Sequence, residues 1–178
     1  MTFREAIERR VLVFDGAMGT QIQGHQLTAA EFGGKEGAND LLTLTRPDLI
    51  EDIHARYYAV GCDVVKTNTF GSSRLKLDEY GVGHRTYEVN FKAAILARRA
   101  AERFSTPDRP RFVAGSIGPM NRTLSISPDV NDPAARNMTF DEARAAYADQ
   151  VRGLLDGGAD ILLVETIFDT LNAKAALV

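Results

Sequence analysis

At 178 residues, 44 % hydrophobic and 25 % charged, the chain has the composition of one globular unit with apolar material for a single core. Its net charge of -3 excludes a nucleic-acid surface, which needs a clustered excess of Lys and Arg, and no apolar run approaches the roughly 20 residues needed to cross a bilayer. A single cysteine, Cys62, rules out an internal disulfide and fits a reducing, cytoplasmic compartment, and the charged N-terminus "MTFREAIERR" does not read as a secretory signal.

The first element is the apolar run Val11 to Phe14, which passes without a break into the acid and small residues of "DGAMG", Asp15 to Gly19. "TRPDLIEDIHARYYAVG" predicts a helix with Thr45 as N-cap, Pro47 in its first turn and Gly61 at its end. Asp63 to Thr67 predicts the next strand, leading into "TNTFG", Thr67 to Gly71. A helix follows over Tyr87 to Phe104, and its basic stretch "ARRAAER", Ala97 to Arg103, reads as a solvated face. Phe112 to Ser116 predicts a third strand, ending in "SIGP", Ser116 to Pro119. In "TFDEARAAYADQVRGLLDGGAD", Thr139 and Glu142 stand at capping-box spacing, with Gly157 and Gly158 as the stop. A fourth strand, Ile161 to Glu165, leads into "ETIFDT", Glu165 to Thr170, and the last helix begins near Asp169.

The strands recur about every 50 residues and are continuously apolar, which suits strands buried on both faces of a parallel sheet. Strand and helix alternating four times predict a parallel α/β architecture, either an open doubly wound sheet or a (β/α) barrel. Gly16, Gly19 and Gly24 do not make the G-x-G-x-x-G turn of a dinucleotide fold, which favours the barrel. In barrels chemistry gathers where the strands end, and in this chain small, polar and acidic residues recur at all four ends. Each has a bland reading: Asp-Gly is a common turn, and Thr67, Asn68 and Thr69 can cap a helix. Glu165 is harder to explain that way, because a carboxylate after "ILLV" is costly to bury without a cation or proton donor. Together the residues suit a zwitterion: Asp15 and Glu165 accept from an ammonium, and main-chain N–H groups around Gly16, Ala17 and Met18 hold a carboxylate.

The segments "FDGAMGTQIQ", "GCDVVKTNTFGSSRLKLDEYG", "SIGPMNRTLSISPDVNDPAARNMTFDEA" and "GGADILLVETIFDTLNAKAA" resemble the homocysteine-binding module of cobalamin-dependent methionine synthases, within the wider homocysteine S-methyltransferase family. The long "NRTLSISPDVNDPAARN" insert carries the methionine-synthase likeness; "DGAMGT" and "TNTFG" point only to the wider family, whose members also use betaine or S-methylmethionine as donor. The resemblance implies a (β/α)8 barrel in which a zinc ion binds the homocysteine sulfur as thiolate. It also implies methylcobalamin as methyl donor, remethylated by a folate domain. It assigns Asp15, Gly16, Ala17, Met18, Thr67, Asn68, Ser116 and Glu165 to the homocysteine pocket. Lys66 departs from the acid expected before "TNTF", and strand alternation predicts that it faces away from Thr67 and the pocket.

The family's zinc is held by three cysteines, one on a later strand and an adjacent pair near the end of the barrel, and nothing in this sequence corresponds. Cys62 precedes the second strand, on the face opposite the site, and His25, His54 and His84 show no ligand spacing. Four units fill the chain, whereas eight would need roughly twice the length. Residues 1–178 are therefore expected to form the N-terminal half of a homocysteine-binding barrel domain, inactive alone. The expected partners are homocysteine, the missing half of the barrel, downstream folate and cobalamin modules and further copies of the chain, since a half barrel leaves two unpaired edges. Two other readings stay open: a Schiff-base aldolase-type barrel using Lys66, and a non-catalytic amino-acid-binding module.

Overall fold

A computed structural model describes all residues, 1–178. Eight helices run in chain order: α1 (Phe3–Arg9), α2 (Met18–Gln23), α3 (Leu42–Thr45), α4 (Pro47–Ala59), α5 (Arg74–Asp78), α6 (Thr86–Phe104), α7 (Phe140–Asp156) and α8 (Thr170–Leu177). Three strands, β1 (Val64–Lys66), β2 (Phe112–Ile117) and β3 (Ile161–Val164), form one parallel sheet in the order β1-β2-β3. The register sets Lys66 against Ala114 and Ser116 against Leu163.

The two sheet faces are covered differently. On one, Val65 and Val113 pack against Tyr58 of α4 and Ala97, Ala100 and Ala101 of α6, and Tyr58 Oη donates to Phe112 O at 2.8 Å. Further along, Ile117 packs with Leu154 and Tyr147 of α7 and Ala175 of α8. The fully buried Val65, Val113, Ile117 and Leu154 side chains each contribute roughly 1.5–3 kcal/mol by leaving water. On the other face Val64, Phe112 and Ala114 meet Ala6 of α1, and Phe3 stands edge-on to Phe112 at 5.5 Å. The sequence signal for α1 is a Thr2/Glu5 capping box, which the structure forms.

The first predicted strand is where expectation and structure part. Val11 to Phe14 lies parallel to β1 but makes one isolated bridge, Phe14 to Val64, and Val11 and Val13 are 87 % and 53 % exposed. It has one neighbour instead of two, so the apolar run is not covered on both sides. Its attachment is also part side chain: Asp63 Oδ2 accepts from Val13 N at 3.0 Å, while Val13 O accepts from Asp63 N and Val64 N. The sheet therefore has three strands, with a fourth segment docked along β1.

The helix signals fare better. Thr139 and Glu142 form the predicted capping box, α7 stops at Gly157, and Gly158 takes φ +92°, a conformation that favours glycine. Asp169 caps α8 by accepting from Leu171 N and Asn172 N. Thr45 is not the cap of α4: it ends α3, its hydroxyl donates to Leu41 O, and Arg46 stands at the N-cap before Pro47.

Candidate functional site

The strand tips meet around one cavity of about 380 Å³. All eight residues predicted for the site line it: Asp15, Gly16, Ala17 and Met18 after the docked segment, Thr67 and Asn68 after β1, Ser116 in β2, and Glu165 after β3. Shortage of side chain in "DGAMG" has two local causes. A Cβ on Gly16 would come within 3.0 Å of Tyr57 Oη, which itself donates to Ala17 O at 3.1 Å. The N–H groups of Gly16, Ala17 and Met18 make no hydrogen bond within the chain, so main-chain donors are left at the cavity wall.

The two carboxylates are held by unequal partners. Asp15 Oδ2 accepts from Lys66 N at 2.9 Å, but its Oδ1 is buried with no partner. Burial pushes the Asp15 carboxyl up to about 6, against the opposing pull of the Lys66 N–H and charge. Glu165 Oε1 accepts from Ser116 Oγ at 2.7 Å, and its Oε2 stands 4.0 Å from Lys66 Nζ. Glu165 N donates to Ile117 O at 3.0 Å, and the next residue, Thr166, takes φ +61°, a left-handed conformation unusual for a β-branched residue.

Thr67 and Asn68 brace the rim. Ser116 N donates to Thr67 Oγ1 at 3.0 Å, Thr69 Oγ1 donates to Ser116 O at 2.7 Å, and the two threonine hydroxyls stand 2.6 Å apart. Because the Thr69 proton is committed to Ser116 O, Thr67 is the donor between the hydroxyls, and the tips of β1 and β2 are stitched together. Asn68 Nδ2 donates to Asn39 O at 2.8 Å and fixes a distant turn against the site.

That turn brings in residues that sequence reasoning missed. Asp40 lines the cavity, and its Oδ1 accepts from Gly71 N at 3.0 Å and Ser72 Oγ at 2.8 Å; burial raises its carboxyl all the same. Its partners lie about thirty positions away, a separation that no local pattern reports. Lys66 is the correction with consequences. It does point to the opposite side from Thr67, but that side is the one it shares with Ser116 and Glu165, by the pairing of Lys66 with Ala114 and of Ser116 with Leu163. Its side chain lines the cavity.

The residues present do not fit the zinc ion that the resemblance implies. No group of three or more His, Cys, Asp or Glu side chains is placed to hold a metal. Cys62 is buried outside the cavity, with its Sγ 3.5 Å from Phe14 O. His25 and His84 are exposed, and His54 is fully buried in α4 with burial pushing it down to about 4. No helix is long and apolar enough to cross a membrane.

Comparison with known proteins gives the family and the fold. The homocysteine S-methyltransferase family model matches residues 12–178. Among solved structures, the metallated form of the homocysteine methyltransferase MmuM from Escherichia coli superposes with a TM-score of 0.75 at 23 % identity, covering 97 % of this chain and 59 % of that one. The oxidized form gives 0.75 at 24 % identity with the same coverage, and the apo form 0.68 at 23 %, covering 97 % and 56 %. At these identities the likeness is one of fold, and the chain spans less than two thirds of the length of the structures it matches.

Proposed function

We propose, from the premise that the chain belongs to the homocysteine S-methyltransferase family, that its cavity holds the amino-acid end of homocysteine for methylation at sulfur. The observation that carries this reading is the buried, unpartnered Oδ1 of Asp15 in a cavity that Glu165 also lines. An ammonium supplies the donors that the two carboxylates lack, and a carboxylate suits the unused N–H groups of Gly16, Ala17 and Met18. Ser116 orients Glu165, and Thr67 and Asn68 hold the rim rigid.

The finer part of the reading is the donor: methylcobalamin, and ultimately methyltetrahydrofolate, as in methionine synthase. Its support is the long segment after β2, which carries the sequence likeness and is pinned near the cavity's fourth strand tip by Asp169, which accepts from Leu124 N, Ser125 N and Ser125 Oγ. We place the chain as the first half of a (β/α)8 barrel, with Val11 to Phe14 as its first strand. The two incompletely paired sheet edges support completion by the other half or by a second copy. In this reading the thiolate-activating zinc and the folate and cobalamin modules belong to other polypeptide, the protein works in the cytoplasm, and the 178 residues alone bind substrate without turnover.

Calorimetric titration with L-homocysteine tests the site. The unaltered chain binds, and Glu165→Ala binds about 30-fold more weakly, the loss of about 2 kcal/mol expected for a charge-assisted hydrogen bond. Equal affinity in the two proteins overturns the reading.

A further inference from the structure

Residue 66 meets two of the three acids that line the cavity, Asp15 and Glu165. Its main-chain N–H is bonded to Asp15 Oδ2, and its Nζ stands 4.0 Å from Glu165 Oε2. That second distance is an ion pair without a hydrogen bond. Neither Lys66 Nζ nor Glu165 Oε2 has any other polar partner in the chain, and Asp15 Oδ1 is buried with none at all. Two acceptors and one cationic donor are thus left open together in about 380 Å³.

The classes of ligand differ in how they meet that set. An amine satisfies the two acceptors but brings a second positive charge beside Lys66. A simple carboxylic acid satisfies Lys66 but meets two carboxylates. Only a molecule with ammonium and carboxylate close together answers all three groups at once, and the Lys66 ammonium then exchanges its loose pairing with Glu165 for a direct bond to the ligand. Lys76, the other lysine lining the cavity, has its own nearby anion in Asp40.

We propose that Lys66 is a specificity-determining residue: it takes the carboxylate of the bound amino acid, so that the cavity admits α-amino acids and turns away amines of the same length. The proposal rests on the homocysteine reading given above and adds to it the group that enforces the carboxylate. The Schiff-base role that a cavity lysine suggests is not needed for it.

The test is a pair of titrations on the whole chain, with L-homocysteine and with 3-aminopropane-1-thiol, which lacks only the carboxylate. The unaltered protein is expected to prefer the amino acid at least tenfold. Lys66→Met, which keeps the aliphatic stem, weakens homocysteine binding and tightens amine binding, so the preference falls severalfold, to what the main-chain N–H groups of Gly16, Ala17 and Met18 give the carboxylate; Lys66→Arg restores most of it. Lys66→Gln serves as a second neutral variant with the same expectation. A preference unchanged by both neutral variants overturns the assignment of Lys66 while leaving the homocysteine reading standing. An unaltered chain that binds neither ligand overturns both.

Discussion

Asp15 and Asp63 lie close to the same parallel pairing, one past the end of the docked segment and the other just before β1, and they show what separates a binding acid from a structural one. Asp63 is 1 % exposed and surrounded: Arg10 grips it with two bonds of 2.8 and 2.9 Å, Arg109 and Arg111 donate at 3.2 and 3.3 Å, and Val13 N donates at 3.0 Å. Burial pushes its carboxyl up, but the bonds from Arg10, Val13 and Arg109 outweigh that and hold it at about 2. Asp15 has one main-chain donor and one bare oxygen, and burial wins. The same residue type is finished by the protein at one end and left for a ligand at the other.

The comparison breaks first at Asp63. Asp63→Ala removes the anion from three arginines, of which Arg111 is buried, and frees the docked segment from its side-chain anchor. A loss of about 3 kcal/mol is expected, in line with breaking other buried ion pairs, and the urea midpoint reads it. An unchanged midpoint would mean that the arginine cluster is ornamental and that the two acids do not differ as described.

Asp15→Asn probes the other half and gives the opposite sign. Folding raises the Asp15 carboxyl above its unfolded value, so between about pH 4 and 6 the folded chain holds a proton that the unfolded chain has released. Its contribution to stability therefore falls as pH rises through that window, and above about 6 the ionised acid is a standing cost. Asp63 runs the other way: its contribution is complete above about pH 4 and is lost as pH drops toward 2. At pH 7 Asp15→Asn should be at least as stable as the unaltered chain, by roughly 0–1 kcal/mol, yet bind homocysteine more than tenfold more weakly. In the unaltered protein, affinity should climb as pH rises through about 6. Thermal melts and titrations at pH 5 and 7 decide both points, and a destabilised variant with full affinity would reverse the roles assigned to the two acids.

The same contrast explains what the sequence disclosed. The tips of the strands were readable because a βα rhythm puts every strand end on one side, and an acid after "ILLV" needs a reason to be there. That the tips of four separate segments share one cavity followed from topology alone. The tight grip on Asp63 was not readable, since Arg10, Arg109 and Arg111 approach it from positions 46 to 53 residues away. Nor was Asp40, held by Gly71 and Ser72. For Lys66 the reason is different: alternation tells that neighbours in a strand face opposite ways, but which face is the site depends on the register with the partner strands. Val11 to Phe14 reads as a fully covered strand because an apolar run carries no mark of how many neighbours it has.

The smallest expected effect sits beside Glu165. Thr166 is held at φ +61°, where a β-branched residue costs on the order of 1–3 kcal/mol, and nothing comparable occurs around Asp63. Glycine takes that conformation freely but gives up roughly 0.5–1 kcal/mol of chain entropy on folding. Thr166→Gly should therefore gain about 1 kcal/mol, a rise in melting temperature of about 2–4 °C for a chain of this size. The strained turn also fixes the direction in which Glu165 leaves β3, between its main-chain bond to Ile117 and its side-chain bond from Ser116. Relaxing it gives the carboxylate more orientations to lose on binding, so homocysteine affinity should drop about two- to fivefold while stability rises. Such a split between stability and affinity belongs to a site and not to a scaffold; a variant that gains in both would show that the strain at Thr166 does nothing for Glu165.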